Sequence, residues 1–406
     1  MPLYFYRART FRGDIVEGRR EANSEKELFT VLRSEGFFPI VIREERVKRA
    51  RSEEKVPLFA PRVSLRDMAI FSRQFATMIR AGMTIVASLD VLIQQTANRR
   101  LKFILRAIKR DVEEGASLTE AMLKHRDVFS ELYVSLIRAG EAGGVLDDVL
   151  DRLATYLERE TALIQRVKSA MRYPIFVLTM ASVVITLLVV YIVPRFIVIL
   201  RGLNIPLPLP TRFLIASTGW VRENIWYLFL VPVLVFILIK ILKRSKRVAY
   251  AIDKMKIKLP IVGPIAYKVA IVRFTRTLGT LTSAAVPILE SLEIVSRVAG
   301  NEVLARAIDL VRYRVQEGQG LAESLATTSI FPPMVIHMTA VGEESGNLDE
   351  MLYKIADFYD EEVDNAVKGL STLIEPVLIL GLGGVVGFIA ISVFLPLFQL
   401  IGGLSR

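Results

Sequence analysis

The sequence of 406 residues contains no cysteine and only two histidines, His125 and His337. The absence of cysteine excludes disulfides, thiolate metal sites and thiol nucleophiles. The sequence also lacks the P-loop motif of nucleotide-binding proteins, the H-E-x-x-H motif of zinc proteases and the G-x-S-x-G motif of α/β hydrolases. His337 lies in the apolar stretch M-V-I-H-M, which is typical of a structural histidine. These absences argue against most enzyme classes, and we predict that the chain binds no cofactor.

Apolar residues are abundant, at 52% of the chain against 23% charged residues. This composition is too apolar for a disordered chain and too charged for a bundle that lies wholly within a membrane. It predicts soluble modules joined to a few membrane spans. The formal net charge of +11 suits a nucleic acid, a membrane surface or an acidic partner. Only the location of the basic residues can distinguish these partners.

Three apolar runs are long enough to cross the hydrocarbon layer of a bilayer, which is roughly 30 Å thick. We predict membrane spans at residues 173–194, 224–242 and 376–400. The second reaches full length if the stem of Lys240 extends to the headgroups. The spans contain no ionisable side chain in their interiors, which argues against conduction of charged solutes through this chain.

Prolines and glycines mark particular positions in these runs. Pro174 and Pro376 lie at the start of the first and third spans. The third span contains four glycines that would let another helix approach closely in lipid, namely Gly381, Gly383, Gly384 and Gly387. A phosphate-binding loop is disfavoured there because no strand precedes these glycines. We predict a surface for helix packing.

Basic residues near the span ends predict the orientation of the chain, because lysine and arginine are retained on the cytoplasmic side. Eight basic residues and one acidic residue lie between Lys240 and Lys258. The segment 243–264 and the N-terminus are therefore predicted to be cytoplasmic, and the connection 195–223 and the short tail 401–406 to lie outside. Aromatic residues do not alternate with the basic ones as they do in nucleic-acid-binding segments, so we expect anionic lipid and no nucleic acid as the partner.

The strongest feature of the sequence is an internal duplication, at an offset of 203 residues that becomes 202 after one deletion. Phe71 and Arg73 match Phe274 and Arg276, and G-E-A-G-G-V-L-D-D from Gly140 matches G-E-E-S-G-N-L-D-E from Gly342. The apolar spacing in both copies is helical. We predict two homologous short-helix bundles at residues 64–172 and 265–375, each followed by a span. The last helix of the first bundle, which starts near Leu146, is expected to continue into that span.

The two copies differ in charge. The first carries 17 basic and 14 acidic residues, a balance of +3, whereas the second carries 9 and 16, a balance of −7. Modules of opposite polarity can bind each other across an oligomer or can bind different partners. Drift of solvated helix faces is the alternative explanation.

Residues 1–45 precede the duplication and are predicted to form a small α+β module. Two strands flank a turn at Arg12 to Asp14, Ser24 with Glu27 caps a helix that ends at Gly36, and F-F-P-I-V-I-R forms a further strand. The charged stretch at 46–63 is expected to be an exposed linker.

An acidic cluster follows each glycine-rich turn of the duplication. The candidates for a cation site are Glu141, Asp147, Asp148 and Asp151. Their spacing lacks the alternating oxygen ligands of a calcium loop, and it also suits a helix stop followed by the acidic first turn of the next helix. We predict no metal site.

These features together resemble one family. The stretch F-S-R-Q-F-A-T-M-I-R-A-G-M from Phe71, the paired G-E-x-x-G-x-L-D segments, the two span-opening prolines and N-I-P-L-P-L-P-T from Asn204 are similar to the inner-membrane platform proteins of type II secretion and type IV pilus systems. The resemblance covers nearly the whole chain. It implies a mainly α-helical, polytopic protein of the bacterial inner membrane. The second copy departs from the first at Ala285, which stands opposite Gly82.

The resemblance implies that the chain is not an enzyme but a homo-oligomeric scaffold. This scaffold would couple a cytoplasmic hexameric assembly ATPase to the extraction of pilins or pseudopilins, together with other inner-membrane assembly proteins. It carries over ten signature positions as candidates for partner docking, which are Gly140, Glu141, Gly144, Leu146, Asp147, Gly342, Glu343, Gly346, Leu348 and Asp349. A channel or transporter component with duplicated gating domains is the main alternative. A membrane anchor for a cytoplasmic enzyme is a third.

Overall fold

The computed structural model describes residues 3–10, 15–22, 24–44, 61–202, 208–242, 245–260 and 262–404. The chain divides into two compact units, Met1–Arg62 and Val63–Arg406. The predicted linker lies outside the described residues as far as residue 60, and so do the last two residues of the predicted tail.

The first unit is the predicted α+β module. Its antiparallel strands pair in the order β2-β1-β3 and comprise β1 (Leu3–Arg9), β2 (Ile15–Glu21) and β3 (Phe38–Glu44). One helix, α1 (Glu25–Ser34), begins at Ser24, whose hydroxyl accepts a hydrogen bond from an early amide of the helix. Leu28 and Leu32 on its inner face pack with Tyr4 of the sheet. The predicted strands and helix are thereby confirmed.

The first copy of the duplication begins the second unit with five short helices. They are α2 (Leu65–Arg80), α3 (Ile85–Gln95), α4 (Arg99–Glu113), α5 (Leu118–Leu123) and α6 (Glu131–Gly143). Ser117 and Glu120 form the predicted capping box at the start of α5. Gly82 and Gly115 follow α2 and α4 with φ of +81° and +98°, a conformation that glycine adopts without a steric cost.

The last helix of the first copy continues into the first predicted span. It consists of α7 (Leu146–Leu187), a π-helical turn at Leu188–Ile192 and α8 (Val193–Gly202). The predicted continuity is confirmed, and the helix runs beyond residue 194 to Gly202. Pro194 has no amide hydrogen to donate to the preceding turn, and the π-helical turn lies immediately before it.

Three helices connect the two copies, namely α9 (Leu209–Glu223), α10 (Ile225–Leu242) and α11 (Lys246–Lys258). Helix α10 coincides with the second predicted span, and α11 carries the basic segment. The predicted connection 195–223 is helical over most of its described length, because α8 and α9 occupy it.

The second copy repeats the arrangement of the first. Its helices are α12 (Val262–Ser283), α13 (Ile288–Val298), α14 (Glu302–Gln316), α15 (Leu321–Ala326), α16 (Pro333–Ser345) and the continuous α17 (Leu348–Leu404). Ala285 has a φ of +56° at the position of Gly82, where an L-residue costs roughly 1–2 kcal/mol. Buried side chains of both copies form one connected hydrophobic core.

Among the described residues, two helices are long and apolar enough to cross a membrane, Leu146–Ile199 and Leu348–Pro396. The most apolar part of the first has no buried residue, and only 17% of that of the second is buried. Apolar side chains exposed over such a length are typical of a surface that contacts lipid or a partner. Helix α10 is not one of these two.

Helix α9 packs against the apolar part of α17. Val193 and Leu214 form a small buried cluster with Ile389 and Val393 of α17. The hydroxyl of Thr211 donates to a backbone carbonyl of α17 at 2.6 Å. The first and third predicted spans are therefore connected through α8 and α9.

Candidate functional site

The paired G-E-x-x-G-x-L-D segments lie where each bundle joins its long helix. Residues 140–147 connect α6 to α7, and residues 342–349 connect α16 to α17. Each segment therefore lies between a set of short helices and a helix that leads to an apolar, exposed region. This position makes the two junctions the first candidate site.

The glutamate of each segment binds the N-terminus of a neighbouring short helix. The carboxylate of Glu141 accepts hydrogen bonds from the amides of Leu118 and Thr119 at 2.7 and 3.0 Å, and from the Thr119 hydroxyl. The carboxylate of Glu343 accepts from the first two amides of α15 at 2.8 and 3.1 Å. These amides have no partner within their own helix, and the helix dipole favours an anion there. The two glutamates therefore fasten α5 to α6 and α15 to α16.

The first glycine of each segment permits a close helix crossing. A Cβ atom on Gly140 would lie 3.2 Å from the Cα atom of Leu146, and one on Gly342 would lie 3.0 Å from the Cα atom of Leu348. These distances are shorter than ordinary carbon contacts, so a larger residue would force the helices apart. The first glycine is therefore required by packing.

The remaining signature residues end one helix and begin the next. Gly144 and Gly346 have φ of +67° and +73° and terminate α6 and α16 by a left-handed turn. The long helices then begin with a half-buried leucine and an aspartate in the first turn, Leu146 with Asp147 and Leu348 with Asp349. Each signature residue thus has a structural role within the chain. Whether these positions also contact another protein stays a prediction.

The four carboxylates considered for a cation site have different surroundings. Glu141 binds helix amides, and Asp148 accepts from Arg152 at 2.7 Å. Asp151 accepts from Arg73 at 2.6 Å and from a second arginine at 3.0 Å. Among the residues that the structure describes, no group of three side chains is arranged to hold a metal ion.

A second candidate site is the surface along which α7 of the first copy packs against α12 and α17 of the second, which we call the inter-repeat seam. The guanidinium of Arg159 donates to Asp357, and that of Arg166 donates to Asp360 and Asp364 at 3.2 and 3.4 Å. The later arginine of α7 pairs with the later aspartates of α17, so the two helices run in the same direction. The basic first copy and the acidic second copy therefore meet within one chain.

Buried polar contacts strengthen the centre of the inter-repeat seam. The carboxylate of Glu160 is 9% exposed and accepts from Arg273 at 2.6 Å. The hydroxyl groups of Tyr156 and Thr277 lie 3.2 Å apart. Burial raises the pKa of Tyr156 to about 12. Removal of one partner of such a buried pair would leave an uncompensated charge or donor, so the seam favours a single relative position of the two copies.

Equivalent arginines of the two copies differ in exposure. The side chain of Arg276 is 3% exposed beneath the inter-repeat seam and contacts Asp357 and Asp360 at 3.1 and 3.6 Å. Its equivalent in the first copy, Arg73, is 36% exposed and donates to Glu158 at 2.7 Å. The hydrogen bond from Arg73 lowers the pKa of Glu158. The same arginine is therefore covered in the second copy and open in the first.

Sequence reasoning did not identify the residues of the inter-repeat seam. A signal was present, because the acidic run that ends at Asp364 follows the same helix register as the arginines of α7. The opposite charges of the copies predict a contact across an oligomer or with different partners, and a contact within one chain is not among these predictions.

The predicted features of the spans lie in continuous helices. Pro174 is buried inside α7, and Pro376 is exposed inside α17. A Cβ atom on any of the four glycines of the third span would meet nothing within 4 Å, which holds for Gly381, Gly383, Gly384 and Gly387. A helix that packs on these glycines would therefore come from outside the described part of the chain.

Comparison with known proteins gives consistent matches along the chain. The family model described as "Type II secretion system (T2SS), protein F" matches residues 71–194 and 274–396, which are the two copies. The model described as "Type II secretion system protein F, N-terminal domain" matches residues 1–43, which form the α+β module.

Individual relatives are similar over nearly their full length. The chain is 43% identical to the type IV pilus assembly protein PilC of Thermus thermophilus, over all of both chains. It is 40% identical to the protein of the same name from Myxococcus xanthus, over 99% of this chain and 96% of the relative. It is 33% identical to the type II secretion system protein F of Aeromonas hydrophila, over 94% and 98% of the two chains.

Proposed function

Because this chain belongs to the type II secretion system protein F family, we propose that it is a non-enzymatic platform in the inner membrane for pilus assembly or protein secretion. A cytoplasmic hexameric ATPase moves the bundles, and the movement extracts pilin or pseudopilin subunits from the membrane. The platform acts as a homo-oligomer together with other inner-membrane assembly proteins. Its relatives carry the names of components of such machines.

One observation carries this proposal, namely that each bundle continues into an apolar region through a single helix. Helix α17 has 57 residues and would extend over about 85 Å at 1.5 Å per residue. Helix α7 passes through the π-helical turn into α8 without a loop. The inter-repeat seam fixes the two long helices to each other. A displacement of the bundles is therefore transmitted to the apolar regions rather than absorbed in a linker.

The proposed orientation has three spans, with α10 as the second, the N-terminus and both bundles in the cytoplasm and the C-terminus outside. Two observations support it, the exposed apolar regions of α7 and α17 and the basic residues of α11. Helix α11 then lies at the cytoplasmic surface, where each basic residue near anionic lipid contributes about 1 kcal/mol of attraction.

The docking role proposed for the signature segments rests on their most accessible members. Asp147 is exposed in the first turn of α7, and Asp349 is half-buried at the same position of α17. We expect Asp147→Lys to weaken co-purification of the assembly ATPase while membrane insertion is unchanged. Normal co-purification by that variant would contradict a docking role for the first segment.

The proposed transmission can be tested with a helix break between bundle and span. Ser169 is an exposed residue of α7 beyond the inter-repeat seam. Proline there would disrupt the helix at a cost of about 3 kcal/mol. We expect Ser169→Pro to abolish filament assembly or secretion in a deletion strain, although the protein is inserted and its bundles resist proteolysis. Ser169→Ala is the matched control and should retain function.

Two outcomes would contradict the proposal. Normal assembly by Ser169→Pro would show that the helix does not transmit movement. Appreciable ATP hydrolysis by the purified chain without a partner would show that it is not a passive platform. Membranes that contain the platform should also yield both an ATPase and pilin-like proteins on co-purification.

A further inference from the structure

The duplication produces two equivalent grooves, and among the described residues of the second unit a helix occupies only one of them. In the second copy, α7 lies along the groove between α12 and α17, where Arg166 reaches two aspartates of α17 and Glu160 reaches Arg273 of α12. The equivalent groove of the first copy lies between α2 and α7 and contains an open depression of about 430 Å³. Its lining includes Arg66, Ile70, Arg73, Gln74, Glu158 and Thr161.

We propose that this α2–α7 groove binds helix α17 of a second copy of the chain. Between two molecules, α17 would then contact the α2–α7 groove in the same way as α7 contacts the α12–α17 groove within one molecule. The inference deepens the homo-oligomeric platform proposed above and identifies its contact surface.

Exposure of the two matching surfaces supports this occupant. Phe358 of α17 is the equivalent of Tyr156, which packs in the inter-repeat seam, yet Phe358 is 43% exposed. Ile70 in the groove is the equivalent of Arg273 and is 50% exposed. If α17 occupied the groove as α7 occupies its counterpart, Phe358 would lie against α2 within one helical turn of Ile70. Their burial would remove both from water.

Two charged side chains of α17 would meet opposite charges in the groove, although the Glu160–Arg273 pair of the inter-repeat seam has no counterpart there. Lys368 of α17 stands at the position of Arg166 and would face Glu158, which stands at the position of Asp360. Glu361 of α17 stands at the position of Arg159 and would approach Arg73 in the groove. The negative balance of the second copy and the positive balance of the first favour the same contact.

The proposed contact is more polar than the inter-repeat seam. Asn365 replaces Leu163, and Gly369 replaces Val167, on the face of α17 that would enter the groove. Less apolar area is then buried, so copies would separate more readily than the two halves of one chain. The contact joins unlike surfaces head to tail and would therefore generate a ring or an open array. Because α7 and α17 run in the same direction, every copy keeps the same orientation to the membrane.

The absence of cysteine permits a direct test in the full-length protein. In membranes from cells that lack the ATPase and pilins, oxidation of the Ile70→Cys, Phe358→Cys double variant should give a ladder of covalent oligomers. A mixture of the two single variants should give dimers only, and each single variant alone should remain monomeric. Pairing Ile70→Cys with cysteine at Tyr313, which is 59% exposed on α14, is the control and should give no ladder.

Two results would overturn the inference. One is the absence of covalent dimers from the mixed single variants, and the other is a dimer of Ile70→Cys with itself, which would indicate a symmetric contact. The assay contains no ATPase or pilin, so it is independent of the proposed function. If the variants do not cross-link but filaments assemble normally, the proposed contact surface is refuted and the proposed function is not. If the variants cross-link but deletion of the protein leaves filament assembly and secretion unchanged, the proposed function is refuted and the contact surface is not.

Discussion

Replacement of Glu343 by glutamine tests the structural role of the paired glutamates. Glutamine keeps the shape of the side chain, but it offers one carbonyl oxygen and one amino group, so one amide of α15 would face a donor. A hydrogen bond to a charged group contributes about 1.5–3 kcal/mol, and the helix-dipole interaction about 0.3–1 kcal/mol. Because Glu343 is exposed and water screens its charge, we expect a loss of about 1–2 kcal/mol, localised at the start of α15.

Hydrogen exchange with mass spectrometry on the full-length protein measures this loss locally. Each 1.36 kcal/mol corresponds to a tenfold change, so protection of the amides of α15 should fall about 5- to 30-fold. Glu141→Gln should have the same effect on α5. Glu344→Gln, at an exposed neighbouring carboxylate, is the control. Equal protection in the two second-copy variants would refute the capping role, and a loss of filament assembly in that case would assign Glu343 to docking.

Three further predictions concern stability. Ala285→Gly removes a left-handed alanine and should stabilise the chain by about 0.5–1 kcal/mol after the entropy of glycine is subtracted; an unchanged or lower midpoint of thermal unfolding would contradict this. Gly342→Ala should cost about 1–3 kcal/mol through overpacking against α17. Gly219→Ala, inside α9 at a site with no atom within 4 Å, should instead stabilise the chain by about 0.5–1 kcal/mol; similar unfolding midpoints for both would disprove the close crossing. Burial lowers the pKa of His125 below its usual value of 6.5, so the unfolded chain binds the proton more readily and stability should decline as the pH falls below about 6.5. Chemical unfolding at several pH values should show this decline, and His125→Gln should reduce it; an identical pH dependence in that variant would rule out the assignment.

Local signals in the sequence predicted much of the fold. The serines with a carboxylate three residues later, at Ser24 and Ser117, both cap helices as expected. The duplication predicted two like bundles, and the helical spacing predicted the continuity of α7 beyond Leu146. The capping and spacing signals act within a few residues, and the duplication is found by comparing the chain with itself. None of these signals requires knowledge of tertiary packing.

Contacts between distant segments could not be predicted in this way. Glu141 reaches amides that lie 22 and 23 residues earlier, and nothing in its immediate neighbourhood indicates that partner. Arg166 and Asp364 lie 198 residues apart. Periodicity shows which side of each helix is apolar, but it does not show which other helix that side contacts. Which two faces meet depends on packing, and so does the choice between a contact within one chain and a contact between chains.

The π-helical turn at Leu188–Ile192 changes the direction in which the side chains of the first apolar helix point around the helix axis. A π turn accommodates one residue more than an α turn, and one residue corresponds to about 100° of rotation. The side chains after the turn therefore point in a different direction around the helix axis than a regular helix would give them, and Val193 there reaches Leu214 and Ile389. Conversion of the turn to a regular α-helix with all its residues retained would rotate Val193 by about 100° away from these contacts, whereas deletion of one residue within the turn would remove the π geometry and leave Val193 facing them.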